Sequence, residues 1–202
     1  MRKDKRVPRI GVLAAQGAFS EHIATLKQLG AEAIPVRLPR DLENLDGLII
    51  PGGESTTISK LMLDYRLTDR IKQLAKAGLP VFGTCAGMIL LADDVPDSEV
   101  KPLGLMHIRV RRNAFGRQKE SFETELAIPA LGKKPFPAVF IRAPKIERLN
   151  NGVEVLAEMN DGSPAAVRQD KLLASAFHPE LTGDLRFHRY FLDIITNNKA
   201  KG

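Results

Sequence analysis

"LPVFGTCAGMILLA" (residues 79–92) starts as a short, almost unbroken apolar run, turns at glycine and continues as an apolar helical pattern. A run of that length ending in a turn reads as a strand buried on both faces. The turn carries Cys85, the only cysteine of the chain, at the centre of Gly83-x-Cys85-x-Gly87. Strand, tight turn and helix with a nucleophilic side chain at the turn make the arrangement of a nucleophile elbow, whose small neighbours leave room for the helix and for substrate. On this stretch alone the thiol reads in two ways. It is a nucleophile, favoured as thiolate by the helix N-terminus, or it is packing at a strand end, because free cysteine is among the most buried residue types.

The same pattern extends outward. "RIGVLAA" (9–15) and "DGLIIPGG" (46–53) are further buried-strand runs, each ending in Gly or a turn. Between the strands, "SEHIATLKQLG" reads as a helix with Ser20 as N-cap and a stop at Gly30, and "LTDRIKQLAKAG" as a helix with Leu67, Ile71 and Leu74 on one face and a stop at Gly78. The alternation predicts an α/β fold, an open and largely parallel sheet flanked by helices. After about residue 100 strands follow one another without long helices. "LMHIRVRRN" alternates Met106, Ile108 and Val110 against His107, Arg109 and Arg111, and "FETELAI", "FPAVFIRAP", "GVEVLAEM", "PAAVRQD" and "KLLASAFHPE" follow. Additional antiparallel strands are therefore expected in the C-terminal half. "GDLRFHRYFLDIITNN" closes the chain as an amphipathic helix with Leu185, His188, Leu192 and Ile195 on one stripe. One domain is expected over residues 1–202, with 1–8 a flexible basic tail.

The 202 residues are 44% hydrophobic and carry a net charge of +6, for a sequence pI near 9.5. Half of that excess sits in "MRKDKR", four basic residues against one acidic, and with aromatics at 5% there is no base-stacking surface, so nucleic acid is not an expected partner. No run approaches the roughly 20 apolar residues needed to span a bilayer, and the charged start lacks the apolar segment of a signal peptide. A cytoplasmic, membrane-free protein is expected. One cysteine forms no internal disulfide, no cysteine/histidine cluster is present, and neither a metal nor a cofactor is expected.

A cysteine nucleophile needs a base. His22, His107 and His188 read most simply as structural or surface residues. His178 follows the apolar run "LLASAF" and precedes Pro179 and Glu180. In a parallel sheet the carboxyl ends of the strands gather at one edge, which lets His178 meet Cys85 across the intervening sequence. His178 is the candidate base, with Glu180 holding its tautomer and orientation. "PGGESTT" (51–57) supplies a glycine loop whose amides, Gly52 among them, suit an oxyanion, and Glu54 suits an ammonium group. The same stretch also reads as an ordinary turn before a helix capped by Ser55 or Thr56.

"PGGES", "GTCAGM" and "FHPE", in this order, resemble the class I, triad-type glutamine amidotransferases, whose Cys-His-Glu triad releases ammonia from glutamine on an open α/β sheet. "GVLAAQGAFSEH", "RRNAFGRQKESFE", "FIRAP" and "FHPEL" narrow the resemblance to the glutaminase subunits of pyridoxal 5'-phosphate synthase, from about Ile10 to the final helix. "MRKDKRVP" lies outside it. The resemblance implies Cys85 as the nucleophile forming a glutamyl thioester, His178 as base and Glu180 as its orienter. It implies that Gly53, Glu54, Ser55, Arg112, Ile141 and Arg142 hold L-glutamine, and that Gln16 and Gly52 serve the oxyanion side and the contact with the partner, the synthase subunit that consumes the ammonia. Two arginines and a carboxylate match a free amino acid's carboxylate and ammonium. Two other readings differ in function: a glutaminase feeding another acceptor, such as imidazole glycerol phosphate synthase, and a catalytically silent binding module on the same fold.

Overall fold

The structure, a computed structural model, describes residues 6–96, 98–112 and 121–199. The first five residues of the expected tail, and residues 113–120 of the "RRNAFGRQKESFE" motif, lie outside the described residues.

Three buried runs form the centre of the sheet: β1 (Arg9–Leu13), β3 (Gly47–Ile50) and β4 (Val81–Thr84), reached through α1 (Phe19–Gln28), the edge strand β2 (Glu32–Val36), α2 (Ser55–Asp64) and α3 (Leu67–Lys76). After Cys85 come α4 (Ala86–Leu91), β5 (Ala92–Asp94) and β6 (Met106–Arg111), then β7 (Ser121–Leu126), β8 (Phe136–Ile141) and β9 (Lys145–Leu149). The chain ends with β10 (Glu154–Glu158), β11 (Pro164–Gln169), β12 (Leu172–Ser175) and α5 (Arg186–Lys199).

The main sheet has the order β10-β11-β12-β4-β3-β1-β2, parallel from β12 to β2 and antiparallel across β10, β11 and β12. Strands β5, β6 and β9 form a second sheet, and β7 and β8 a third. The alternation expected in "LMHIRVRRN" is present, with Met106, Ile108 and Val110 buried.

Three local features differ from the sequence reading. Helix α1 begins at Phe19, so Ser20 lies inside its first turn; the Ser20 hydroxyl bonds Glu21, and Ala18 stands at the cap position with no side-chain cap. Strand β2 was not expected from "EAIPV", whose Pro35 is tolerated because β2 is the sheet's edge. Strand β9, "KIERL", is mostly polar and takes its place by pairing with β6.

Between the sheet and α5 lies an aromatic core. Phe82 of β4 has its ring centroid 5.5 Å from both Phe187 and Phe191, and Phe177 lies 5.3 Å from Phe187. All four rings are fully buried, each contributing on the order of 1.5–3 kcal/mol. This packing fixes β4 and β12 relative to each other, and with them the residues at their carboxyl ends. Ser175 stands opposite Thr84, and Cys85 N–H donates to the Ser175 carbonyl at 2.8 Å.

Candidate active site

Four segments converge at the carboxyl edge of the parallel strands: Gln16 after β1, the glycine loop after β3, Cys85 after β4 and His178 after β12. Cys85 occupies the cap position of α4 with φ 50° and ψ −104°, a left-handed backbone that a non-glycine residue holds only under constraint. The constraint comes from beneath. A Cβ at Gly87 would overlap the Ile50 carbonyl oxygen, and one at Gly83 would crowd the Gly87 backbone, so α4 lies directly on β3 and β4. That close approach, which only glycine permits, is why the cysteine is flanked at both second neighbours.

Three residues past β12, His178 donates its backbone N–H to the Val139 carbonyl at 2.8 Å, which ties it to β8. Its Nδ1 lies 2.7 Å from Glu180 Oε1, and both side chains are buried. Burial by itself pushes the His178 pKa down. The hydrogen bond to Cys85, the hydrogen bond to Glu180 and the charges of both outweigh it and raise the pKa to about 10. The Cys85 sulfur also lies 3.8 Å from the Ile141 carbonyl oxygen. The imidazolium is thus the stable form of His178 at neutral pH, ready to deliver a proton beside the sulfur.

The cavity in front of this line holds about 330 Å³, near the lower end of ligand pockets. Among the described residues its walls are Gln16, Gly53, Glu54, Ser55, Cys85, Arg112, Ile141, Arg142 and His178, all anticipated from sequence, together with Gly17 and Ile89, which were not. Arg142 has φ 42°, a second strained non-glycine backbone on the same pocket.

Two expectations on the glycine loop change. Glu54, rather than Ser55 or Thr56, caps α2: its carboxylate accepts from Thr56 N–H at 3.1 Å, from Thr57 N–H at 2.6 Å and from the Thr57 hydroxyl at 2.7 Å. Desolvation works against the ionised form, but these bonds, led by those of Thr57, hold its pKa at about 2. Arg112 Nη2 sits on Glu54 Oε1 at 2.9 Å while its Nη1 reaches the Ser98 hydroxyl at 3.2 Å. The Gly52 N–H does not face the pocket; it donates to Thr84 Oγ1 at 3.1 Å. Gln16 reaches the loop instead, its Oε1 accepting the Glu54 N–H at 3.1 Å.

Sequence reasoning treated His22 and His188 as structural or surface residues. Both are fully buried. Burial holds His22 well below its usual range, reinforced by His188 and His178, and burial lowers His188 to about 4. Their unfolded values lie near 6.5. Below that pH the unfolded chain takes up protons that the folded chain refuses, so stability falls between about 6.5 and 4, on the order of 3 kcal/mol for His188 alone. His178 has the opposite sign: its contribution is complete below 6.5 and is lost as pH rises toward 10. Thermal unfolding across pH 4–10 is expected to show a maximum near 6.5, with an acid limb that flattens in His188→Phe. A midpoint that stays level from pH 7 to 5 would contradict neutral buried rings.

Comparison with known proteins shows the family of the chain. The sequence matches the SNO glutamine amidotransferase family over residues 12–197. It is 58% identical over 194 residues to the pyridoxal 5'-phosphate synthase subunit PdxT of Dehalococcoides mccartyi, covering 95% of this chain and 100% of that one. To the PdxT subunit of Moorella thermoacetica it is 59% identical over 187 residues, covering 93% and 99%. A crystal structure of a glutamine amidotransferase superposes with a TM-score of 0.88 at 53% identity, covering 93% of this chain and 98% of the other. The Thermotoga maritima PurLQS structure, at 17% identity and a TM-score of 0.71, shares the fold.

Proposed function

The chain belongs to the SNO glutamine amidotransferase family, and we infer from that membership and from the pocket that it is the glutaminase subunit of a pyridoxal 5'-phosphate synthase, hydrolysing L-glutamine to L-glutamate and ammonia. The observation that carries the chemistry is the line from Cys85 through His178 to Glu180 at the floor of an amino-acid-sized cavity. Cys85, its proton already on His178, attacks the side-chain amide carbon of glutamine. The His178 imidazolium gives its proton to the departing nitrogen, and ammonia leaves a glutamyl thioester. His178, now neutral, takes a proton from water as the water attacks the thioester, and glutamate is released with the thiolate restored. Glu180 keeps the ring in one orientation throughout, and in one tautomer when it is neutral.

For substrate, the Glu54 carboxylate, already bonded to the first turn of α2 and to Arg112, still lines the pocket with the charge that suits the α-ammonium, and Arg142 with Arg112 suits the α-carboxylate. Gly53, Ser55 and Ile141 shape the space between. Gln16 and Gly52 are assigned to the oxyanion side and to the contact with the synthase subunit. In the free chain the Gly52 N–H is spent on Thr84, which supports weak turnover before docking. Ammonia must pass directly to the synthase subunit, because in water it protonates and stops being a nucleophile. The chain works as one glutamine amidotransferase domain in the cytoplasm. Among the described residues no helix is long and apolar enough to cross a membrane.

The test measures ammonia and glutamate released from L-glutamine by the full chain, alone and with a pyridoxal 5'-phosphate synthase subunit. Release should be slow alone and rise strongly with the partner; no rise counts against the assignment. In the same assay Arg142→Ala should raise KM for glutamine with little change in kcat, and an unchanged KM removes Arg142 from the substrate contacts.

A further inference from the structure

Behind Glu180, outside the pocket lining, runs a chain of buried polar groups that the mechanism above does not use. Glu180 is wholly enclosed, and its Oε1 is committed to His178. Its Oε2 has no aligned hydrogen-bond donor among the described residues, and His22 Nε2 stands 3.3 Å from it. The same Nε2 lies 3.3 Å from Thr84 Oγ1, the hydroxyl that also accepts the Gly52 N–H. On its other side His22 Nδ1 meets His188 Nε2 at 2.8 Å. The two rings come from α1 and α5 and pack against Phe82 of β4, whose ring stands edge-on to both.

The hydrogen positions follow from satisfying this network. If His22 carried its proton on Nδ1, it would donate to His188 Nε2, and its Nε2 lone pair, met by the Thr84 hydroxyl at 3.3 Å, would also face the Glu180 carboxylate, lone pair against charge. His188 would then bury an Nδ1–H, which has no partner among the described residues. The opposite tautomers avoid both costs: His188 Nε2–H donates to His22 Nδ1, and His22 Nε2–H points between Glu180 Oε2 and Thr84 Oγ1. The His188 Nδ1 lone pair is then left unpaired and the Thr84 hydroxyl accepts from both His22 and Gly52, but the carboxylate faces a donor instead of a lone pair. Burial keeps both rings neutral, which this arrangement requires.

We propose that His22 is a positioning residue for the triad, holding Glu180 Oε2 and the Thr84 hydroxyl from behind while His188 fixes its ring, so that Glu180 Oε1 stays on His178 Nδ1. A buried carboxylate with one oxygen unsupported is free to rotate, and rotation releases His178 from the orientation that proton transfer to the leaving nitrogen needs. His22 also touches the hydroxyl that holds the glycine-loop amide, so one ring braces both the base and the loop facing it. The inference rests on the triad reading above.

Amide replacements separate this role from mere filling of space, since a glutamine places its nitrogen near the histidine Nε2 position and an asparagine near Nδ1. In the assembled synthase, His22→Leu is expected to lower kcat about 10–100-fold, the size seen when outer partners of orienting groups are removed at metal sites, with KM for glutamine unchanged. His22→Gln should restore most of the loss and His22→Asn should not. If the leucine variant fails to fold, the Gln/Asn pair still decides: a clear advantage for Gln supports the role, and equal turnover overturns it. A folded His22→Leu enzyme with parental kcat overturns it as well. Cys85→Ala run alongside distinguishes the two levels, because turnover surviving in that variant sinks the triad reading itself, and this inference with it.

Discussion

Cys85→Ala is expected to abolish ammonia release by the assembled synthase, lowering kcat by about 10⁴-fold or more, the scale on which single triad deletions act. The fold is expected to survive. Cys85 is small and nearly buried, and what holds its turn is the seating of α4 on β3 and β4 through Gly83 and Gly87, which the substitution leaves alone. The residue at 85 nonetheless keeps φ 50° and ψ −104° whatever its side chain, and those angles are strained for any residue with a Cβ. That strain costs on the order of 1–3 kcal/mol. Cys85→Gly removes it, at the expense of a more flexible unfolded chain. The glycine variant should therefore be inactive yet melt about 2–4 °C above the alanine variant, the shift that roughly 1 kcal/mol produces in a chain of this size. Equal melting temperatures would mean that the elbow is relaxed, and measurable turnover in either variant would remove Cys85 as the nucleophile.

That turn was readable from "GTCAG" because its cause is local: two glycines at fixed offsets around a residue where an apolar strand meets an apolar helix. The meeting of Cys85 with His178 was readable for a related reason. Both follow strands of a parallel sheet, and the carboxyl ends of such strands share an edge. What escaped was decided by side chains turning toward neighbours that are distant in sequence. Glu54 looked free to meet an ammonium group, yet its carboxylate folds back onto the first turn of its own helix and carries Arg112, 58 positions away. The Gly52 amide looked free to meet an oxyanion, yet Thr84 takes it.

His188 left a signal that was not used. It falls on the same stripe of the last helix as Leu185, Leu192 and Ile195, and a histidine on a buried stripe needs a polar partner inside the core. His22 likewise shares the buried face of α1 with Thr25 and Leu26. Two such histidines are each other's natural partner, although sequence alone does not say that Glu180 and Thr84 lie between them and the pocket. Strand β9 escaped for a plainer reason: "KIERL" has one fully buried side chain, Ile146, and pairing with β6, rather than an apolar pattern, makes it a strand.

Gly52→Ala is expected to cost turnover about 10²-fold or more while leaving a folded protein, because the methyl group arrives where the base already stands. A Cβ at position 52 would overlap His178 Cε1 and lie 3.0 Å from its Nδ1 and 3.3 Å from Cys85 Cβ. The ring has nowhere to retreat. Its Nδ1 is held by Glu180 at 2.7 Å and its backbone by Val139 at 2.8 Å. The loop is held equally firmly, by Thr84 on the Gly52 amide and by Gly17, where a Cβ would overlap the Gly52 carbonyl oxygen. One side must yield. If the ring moves, the proton no longer reaches the leaving nitrogen; if the loop moves, the Thr84 bond breaks and overpacking of this kind costs about 1–3 kcal/mol. Gly183→Ala provides the control, since among the described residues no atom beyond its chain neighbours lies within 4 Å of a Cβ there and turnover should be unaffected. A Gly52→Ala enzyme with parental kcat and an unchanged melting temperature would show that the loop shifts freely away from His178. The working site would then have to use a glycine-loop position other than the one in which Thr84 holds the Gly52 amide.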